Sequence, residues 1–300
     1  MPFQDKYEHV PLPILLDRYN IRLKQKWGQN FLSDRNLLKK ITAAANIKAG
    51  DLVVEVGCGA GALTACLAQA GARVAGVEID ERLGPLLHDR FASNEQVHIT
   101  FADALTLNLK DLATALAGPG LAEGARTGQL KIVSNVPYYI TTDLVTHFFL
   151  SLGQVGCIVL LVQQEAAAHF TATGGKQYGP LTVLAQTYGR VESLFQIPPG
   201  AFTPPPTVRS TVLRLTADQV HDPIGWENYP AFYRLLQACF QQRRKTLTNN
   251  LKKTGYLSDE KSTEILRCLK SDFQLPDNCR AEECPPAFFA ALQGGLKQPR

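Results

Sequence analysis

The chain is poor in the features that mark several protein classes. No run of about 18 apolar residues occurs in its 300 residues, so no segment has the length of a membrane-crossing helix. The first residues include Asp5, Glu8 and Asp17 and hold no hydrophobic signal core. No export is expected, and a cytoplasmic location is. The seven cysteines are odd in number and scattered, and none forms a CxxC pair. That excludes a dense disulfide framework and argues against structural zinc; free thiols in a reducing compartment and no metal site are expected. No internal repeat or low-complexity tract is present. A net charge of +4 permits a nucleic-acid partner without demanding one. One local absence is more telling. From Asn228 to Ser258 there is no acidic residue, while Arg234, Arg243, Arg244, Lys245, Lys252 and Lys253 all fall there. Such a segment suits a phosphate-facing surface better than an ordinary solvated face.

What is present reads as one large domain and one small one. Short apolar runs alternate with helical patterns: "LVVEV" from Leu52, "RVAGVEI", "VHITFA", "KIVSNV" and "CIVLLV" read as strands, and the segments between them as helices. This βαβα rhythm predicts an α/β domain with a parallel sheet covered by helices on both faces. "RVESLFQI" and "STVLRL" read as two further strands around the proline-rich "IPPGAFTPPPTV". Residues 117–128 read as a surface loop. Near residue 217 the pattern changes to all helix, which predicts domains at 1–217 and 218–300. On an uninterrupted helix, Phe232, Leu235, Leu236, Cys239, Phe240, Leu247 and Leu251 share one face. Arg234, Lys245 and Lys252 line up opposite, and Arg243 falls on the apolar side, where partial burial and a partner are expected.

The chemistry-bearing motifs sit at predicted strand ends. "VVEVGCGAGALT" puts Gly57, Gly59 and Gly61 where the first strand turns into its helix, allowing close approach of a ligand to backbone. The string also fits the loose dinucleotide fingerprint, so by itself it does not separate a hydride-transfer enzyme from other nucleotide users. Glu78 ends the second strand about twenty residues later, the place of a ribose-binding carboxylate. Asp103 follows the third strand, where a carboxylate can accept from the amino group of adenine. After the fourth strand comes "NVPY". The Asn135 side-chain oxygen and the Val136 carbonyl can both accept from an –NH₂ group, Pro137 stiffens the turn, and Tyr138 can stack on a base. That arrangement suits a nucleobase amine presented to a methyl donor, and a hydride-transfer enzyme has no use for it.

With these motifs in order, joined by "GQNFLSD", "GVEID", "FADAL", "NVPYYITT", "QQEAAAHF", "YGPLTVL", "GAFTPPPTVRSTVLRL" and "FQQRRKTLTNNL", the chain resembles the KsgA-type (RsmA) small-subunit ribosomal RNA adenine N6-dimethyltransferases over nearly its whole length. The resemblance implies a Rossmann-like, seven-stranded methyltransferase sheet with a small all-helical C-terminal domain. It implies S-adenosylmethionine as cofactor and two adjacent adenines of a small-subunit rRNA hairpin loop as substrate, within a role in small-subunit biogenesis. Carried over by motif, cofactor contacts fall on Gln29, Asn30, Leu32, Gly57, Gly59, Glu78, Asp103 and Asn135. The target-base site falls on Asn135, Val136, Pro137 and Tyr138, with Phe202 of "FTPPP" as a second stacking wall. RNA contacts are expected from Lys24, Lys26, Arg234, Arg244, Lys245 and Lys252. The expected partner is the small-subunit rRNA or its pre-30S particle, met by a monomer. Tyr139 and Val136 depart from residues frequent in relatives; position 136 contributes its carbonyl, so the reading stands.

Three alternatives remain open at this stage. One is a large-subunit rRNA adenine methyltransferase of the macrolide-resistance type. Another is a ribosome-assembly factor with secondary catalysis. The most distant is an NAD enzyme.

Overall fold

The computed structural model describes residues 3–22, 29–117, 130–137, 140–151, 155–217 and 223–296. Lys24, Lys26, Tyr138, Tyr139 and most of the expected 117–128 loop lie outside the described residues. The chain forms two compact units. One takes in residues 1–167 and 192–217, the other 168–191 and 218–300. The chain thus passes between units at 167, 191 and 217, and the helical periodicity carries no break at the first two.

The larger unit opens with α1 (Leu12–Arg18), the two-residue strand β1 (Phe31–Leu32) and α2 (Arg35–Ala44). Asp34 caps α2 by accepting from the backbone of Asn36 and Leu37 at 2.9 and 3.0 Å. Then follow β2 (Leu52–Val56), α3 (Ala62–Gln69), β3 (Arg73–Glu78), α4 (Gly84–Phe91), β4 (Val97–Phe101), α5 (Leu109–Ala117), β5 (Leu130–Asn135), α6 (Thr141–Ser151), β6 (Cys157–Gln163) and α7 (Gln164–Thr171). After α8 (Pro180–Tyr188) come β7 (Gly189–Ile197), β8 (Phe202–Thr203) and β9 (Ser210–Ala217).

Seven strands form one sheet in the order β4-β3-β2-β5-β6-β9-β7. The pairs from β4 to β6 are parallel. β9 joins β6 antiparallel, so the sheet is mixed, where the alternating pattern alone predicts parallel. All five residues of β2 are buried, Glu55 among the leucine and valines of a central strand. The sheet order reverses at β2, whose neighbours are β3 and β5. In a parallel sheet that reversal opens a crevice at the carboxyl ends of the strands. One face of the sheet is covered by a core that joins Val53, Val133, Val159 and Leu161 to residues of α1, α2, α3 and α4. β1 pairs antiparallel with β8, Leu32 opposite Phe202, a contact between two-residue strands too short to leave a periodic signal.

The second unit is helical. It holds α9 (Tyr229–Cys239), α10 (Leu247–Lys253), α11 (Glu260–Asp272) and α12 (Pro286–Gly295) as well as α8. The expected continuous helix through residues 232–251 is broken between Cys239 and Leu247. Thr246 caps α10 by accepting from the Asn249 backbone, and the buried Asn250 amide donates to the carbonyls of Cys239 and Gln242 at 2.8 and 3.2 Å. These side chains satisfy the ends that an unbroken helix would not have. Arg234, Arg244, Lys245 and Lys252 are all exposed, but they do not form one helical stripe. Arg243 has partners, the Gly175 carbonyl at 2.8 Å and Glu282 at 3.4 Å, yet its side chain is 44 % exposed rather than buried.

Candidate active site

A cavity of about 200 Å³ opens at the switch point of the sheet. Its wall takes in the ends of β2, β3 and β5 and the turn after β4. Gln29, Asn30, Leu32, Gly57, Gly59, Glu78, Asp103, Asn135, Val136 and Pro137 all line it, so ten of the residues singled out in sequence meet around one space.

The glycine loop is built for close approach. Gly57 and Gly59 have φ of 78° and 55°, in the left-handed region. A Cβ on Gly59 would stand 2.7 Å from the Phe31 ring, so this position admits no side chain without displacing β1. The Gly59 N–H donates to Glu78 Oε2 at 2.8 Å. Glu78 Oε1 accepts from the backbone N–H groups of Ile79 and Asp80, each at 3.0 Å. Burial pushes the Glu78 carboxyl above its ordinary range, against the pull of those three donors. The carboxylate therefore ties the end of β3 to the loop after β2. Oε1 is filled by its two donors, and Oε2, with one, has further acceptor capacity for a hydroxyl of a ribose.

Asp103 is exposed on the cavity rim, and its Oδ1 accepts from the Leu105 backbone at 3.0 Å. Ile79 also lines the cavity and is 39 % exposed, an apolar surface on which a base can rest. Nothing in the sequence singles it out except its place after Glu78.

Glu55 is a second residue that sequence reasoning passed over. It sits inside the apolar strand β2 and is 1 % exposed, on the face that also carries Val53. It lines the cavity, and its Oε2 has no hydrogen-bond partner among the described residues. Desolvation pushes its pKa up to about 8. A buried carboxyl with one unpartnered oxygen, facing a cavity, suits a cationic group. The only sequence signal is the interruption of an otherwise apolar run. Asp5 and Glu8 also line the cavity. Asp5 pairs with Arg90, which donates in turn to the Ala60 carbonyl at 2.6 Å, and Glu8 pairs with Arg35. The N-terminal segment is thereby fastened to the glycine loop.

On the other side of the cavity, the Asn135 amide has a defined orientation. Its Nδ2 donates to the Asn30 carbonyl at 3.1 Å. A carbonyl only accepts, so the amide must offer nitrogen there, and Oδ1 becomes the edge available as an acceptor. Val136 is 1 % exposed, and its N–H is taken by the Leu161 carbonyl at 3.1 Å. Pro137 follows, and its carbonyl accepts from the Ile140 N–H at 3.2 Å.

Phe202 does not stand on the cavity wall. It is 3 % exposed in the core with Phe31 and Leu32, because its pairing opposite Leu32 turns the ring inward. A stacking wall at this position would need the ring to leave that packing. His147 and His169 are structural: His147 Nε2 bonds the Leu107 carbonyl at 3.0 Å and His169 Nδ1 the Gln177 carbonyl at 2.8 Å.

The donor set fits S-adenosylmethionine. Glu78 and Asp103 suit ribose and adenine, Ile79 suits the base, and the Glu55 carboxyl, with Oε2 unpartnered, suits a cationic amino-acid tail. Comparison with known proteins agrees. Residues 20–285 match the family model described as ribosomal RNA adenine dimethylase. The chain is 36 % identical over 283 residues to a ribosomal RNA small subunit methyltransferase A of Geobacillus thermodenitrificans, covering 94 % of each. It is 40 % identical over 234 residues to that of Acidobacterium capsulatum, covering 78 % of each. Among solved structures, a dimethyladenosine transferase from Plasmodium falciparum superposes with a TM-score of 0.64 at 23 % identity, covering 87 % of this chain and 97 % of that one. The 23S rRNA methyltransferase ErmE also gives 0.64, at 22 % identity, covering 90 % of this chain and 100 % of that one.

Proposed function

Because the chain belongs to the ribosomal RNA adenine dimethylase family, we propose that the Asn135–Pro137 edge presents the N6 amine of a small-subunit rRNA adenine to S-adenosylmethionine held by the glycine loop, Glu78 and Asp103. The enzyme is an S-adenosylmethionine-dependent rRNA adenine dimethyltransferase. The dimethyladenosine transferase and the 23S rRNA methyltransferase are equally similar to this chain in fold, so fold alone does not choose the substrate. Small-subunit RNA is favoured by the name that curated relatives share at 34–40 % identity.

The single observation that carries the site is the Asn135 amide, turned by the Asn30 carbonyl so that Oδ1 can accept. An adenine N6 is a poor nucleophile because its lone pair is conjugated with the ring. Accepting its two hydrogens on Asn135 Oδ1 and the Val136 carbonyl favours a more tetrahedral, reactive nitrogen. The bound sulfonium supplies an electrophilic methyl group. The remaining work is positioning, and no strong general base is implied. Tyr138, outside the described residues, is proposed to stack on the extruded base. The exposed Arg234, Arg244, Lys245 and Lys252 of the helical unit are proposed phosphate contacts, together with Lys24 and Lys26. We take the partner to be the pre-30S particle, met by a monomer in the cytoplasm. Among the described residues, no helix is long and apolar enough to cross a membrane.

Incubation of the purified chain with tritiated S-adenosylmethionine and either small- or large-subunit RNA tests the assignment. Label in the small-subunit RNA is expected. Label in the large-subunit RNA alone would transfer the chain to the other substrate, and label in neither would remove the assignment.

A further inference from the structure

We propose that Asp80 is a positioning residue for the Asn135 amide, acting through Gln29 and Asn30; the proposal rests on the reading of Asn135 as acceptor for the target amine. Asp80 lies two residues beyond β3 and is fully buried. Its carboxylate accepts four hydrogen bonds among the described residues. Oδ1 takes the Arg82 backbone N–H at 3.2 Å and Arg82 Nε at 2.7 Å. Oδ2 takes Arg82 Nη2 at 2.5 Å and Gln29 Nε2 at 2.8 Å. Burial works against its charge, but the Arg82 and Gln29 donors outweigh it and hold the carboxyl below its ordinary range.

A carboxylate only accepts, so Gln29 is forced to present its –NH₂ group. The next residue in the chain is Asn30, whose carbonyl takes the Asn135 amide at 3.1 Å. Asp80 follows β3 and Asn135 ends β5, strands that flank β2 on opposite sides. The Gln29–Asn30 dipeptide therefore bridges the two sides of the switch point. It is pinned at one end by Asp80 and at the other by Asn135, and β1 follows directly, paired with β8. Arg82 reinforces the first anchor by donating Nη1 to the Arg22 carbonyl at 2.8 Å.

The consequence is chemical. A side-chain amide has two orientations related by a half-turn, and only one directs Oδ1 away from Asn30. The Asn30 carbonyl enforces that one only while the dipeptide stays in place. The Asp80 backbone N–H also holds Glu78 Oε1, so one turn sets both the cofactor carboxylate and, through the bridge, the amine acceptor. A merely structural Asp80 would cap its turn and stabilise the fold without reference to Asn135.

The test uses the ¹⁵N-labelled full chain, with the Asn135 side-chain amide signals identified by their loss in Asn135→Ala. Gln29→Met cuts the bridge and keeps the Asp80–Arg82 pair; Asp80→Asn removes the carboxylate. In both variants the Asn135 signals should shift or broaden, and single-turnover methyl transfer at saturating S-adenosylmethionine should fall about tenfold. In the Asn135→Ala background the same substitutions should cost no further rate, because the acceptor they position is gone. Unmoved Asn135 signals, or an equal fall in rate with and without Asn135, overturn the proposal. Should Asp80→Asn fail to fold, Gln29→Met decides alone. Absence of methyl transfer by the wild-type chain would sink the functional reading instead, and the Asn135 signals would still decide whether the bridge exists.

Discussion

Substituting Glu55 with Gln should uncouple cofactor affinity from pH. In the free protein this carboxyl is 1 % exposed, has one oxygen without a partner, and carries a pKa raised to about 8 by desolvation. A group with that pKa is about nine-tenths protonated at pH 7. If the ammonium of the cofactor's tail seats against it, the bound carboxyl ionises and binding releases close to one proton. Between pH 6 and 7 the ammonium itself stays charged, since α-amino groups titrate at about 7.7–8.0. Over that unit the affinity of the wild type should rise about tenfold, and that of Glu55→Gln should stay flat. Calorimetry in buffers of different ionisation enthalpy counts the proton directly. The sign for stability is opposite. The native state binds this proton more tightly than the unfolded chain, so the Glu55 contribution to stability falls as pH rises from about 4.5 to about 8. Glu55→Gln should remove that fall in thermal melts. Parallel pH slopes for wild type and variant, with no proton released, would refute the placement of the tail at Glu55.

Glu78→Ala removes an acceptor for the ribose and the anchor of Gly59; at about 1.5–3 kcal/mol per hydrogen bond to a charged group, cofactor binding should weaken about ten- to a hundredfold. Unchanged affinity by calorimetry would take Glu78 out of the site. Changing Arg234, Lys245 and Lys252 together to Gln should lower RNA affinity and flatten the slope of log K against log salt by up to about three units, with cofactor binding intact. A slope that stays put would make these residues ordinary solvated charges. The break between α9 and α10 does not cancel this expectation, because all three side chains remain exposed.

Much of the site was legible because its residues stand where pattern and chemistry coincide. The apolar runs of β2, β3 and β5 predict buried strands, and Gly57, Glu78 and Asn135 come where those runs stop. What stayed hidden was set by tertiary contact. Glu55 reads as the interior of a strand, and only the cavity beside it gives its charge a use. Asp5 and Glu8 read as generic acidity, until the fold brings them to Arg90 and Arg35. Phe202, expected as a second stacking wall, is buried in the core, its strand paired with β1. The apolar periodicity of residues 232–251 outweighed the local signals of Thr246 and Asn250, whose side chains end one helix and begin the next. The membership of residues 168–191 in the helical unit rests on long-range packing that no local pattern records.

Nucleoside mass spectrometry of small-subunit RNA, after reaction with S-adenosylmethionine and either wild type or Asn135→Ala, tests the central claim most directly. The wild type should yield N6,N6-dimethyladenosine at two adjacent positions of one hairpin loop. At saturating cofactor the Asn135→Ala chain should still bind RNA, but its product should drop by about a hundredfold, as for loss of one preorganised acceptor of the reacting group. Dimethyladenosine formed by Asn135→Ala at the wild-type rate would contradict the account.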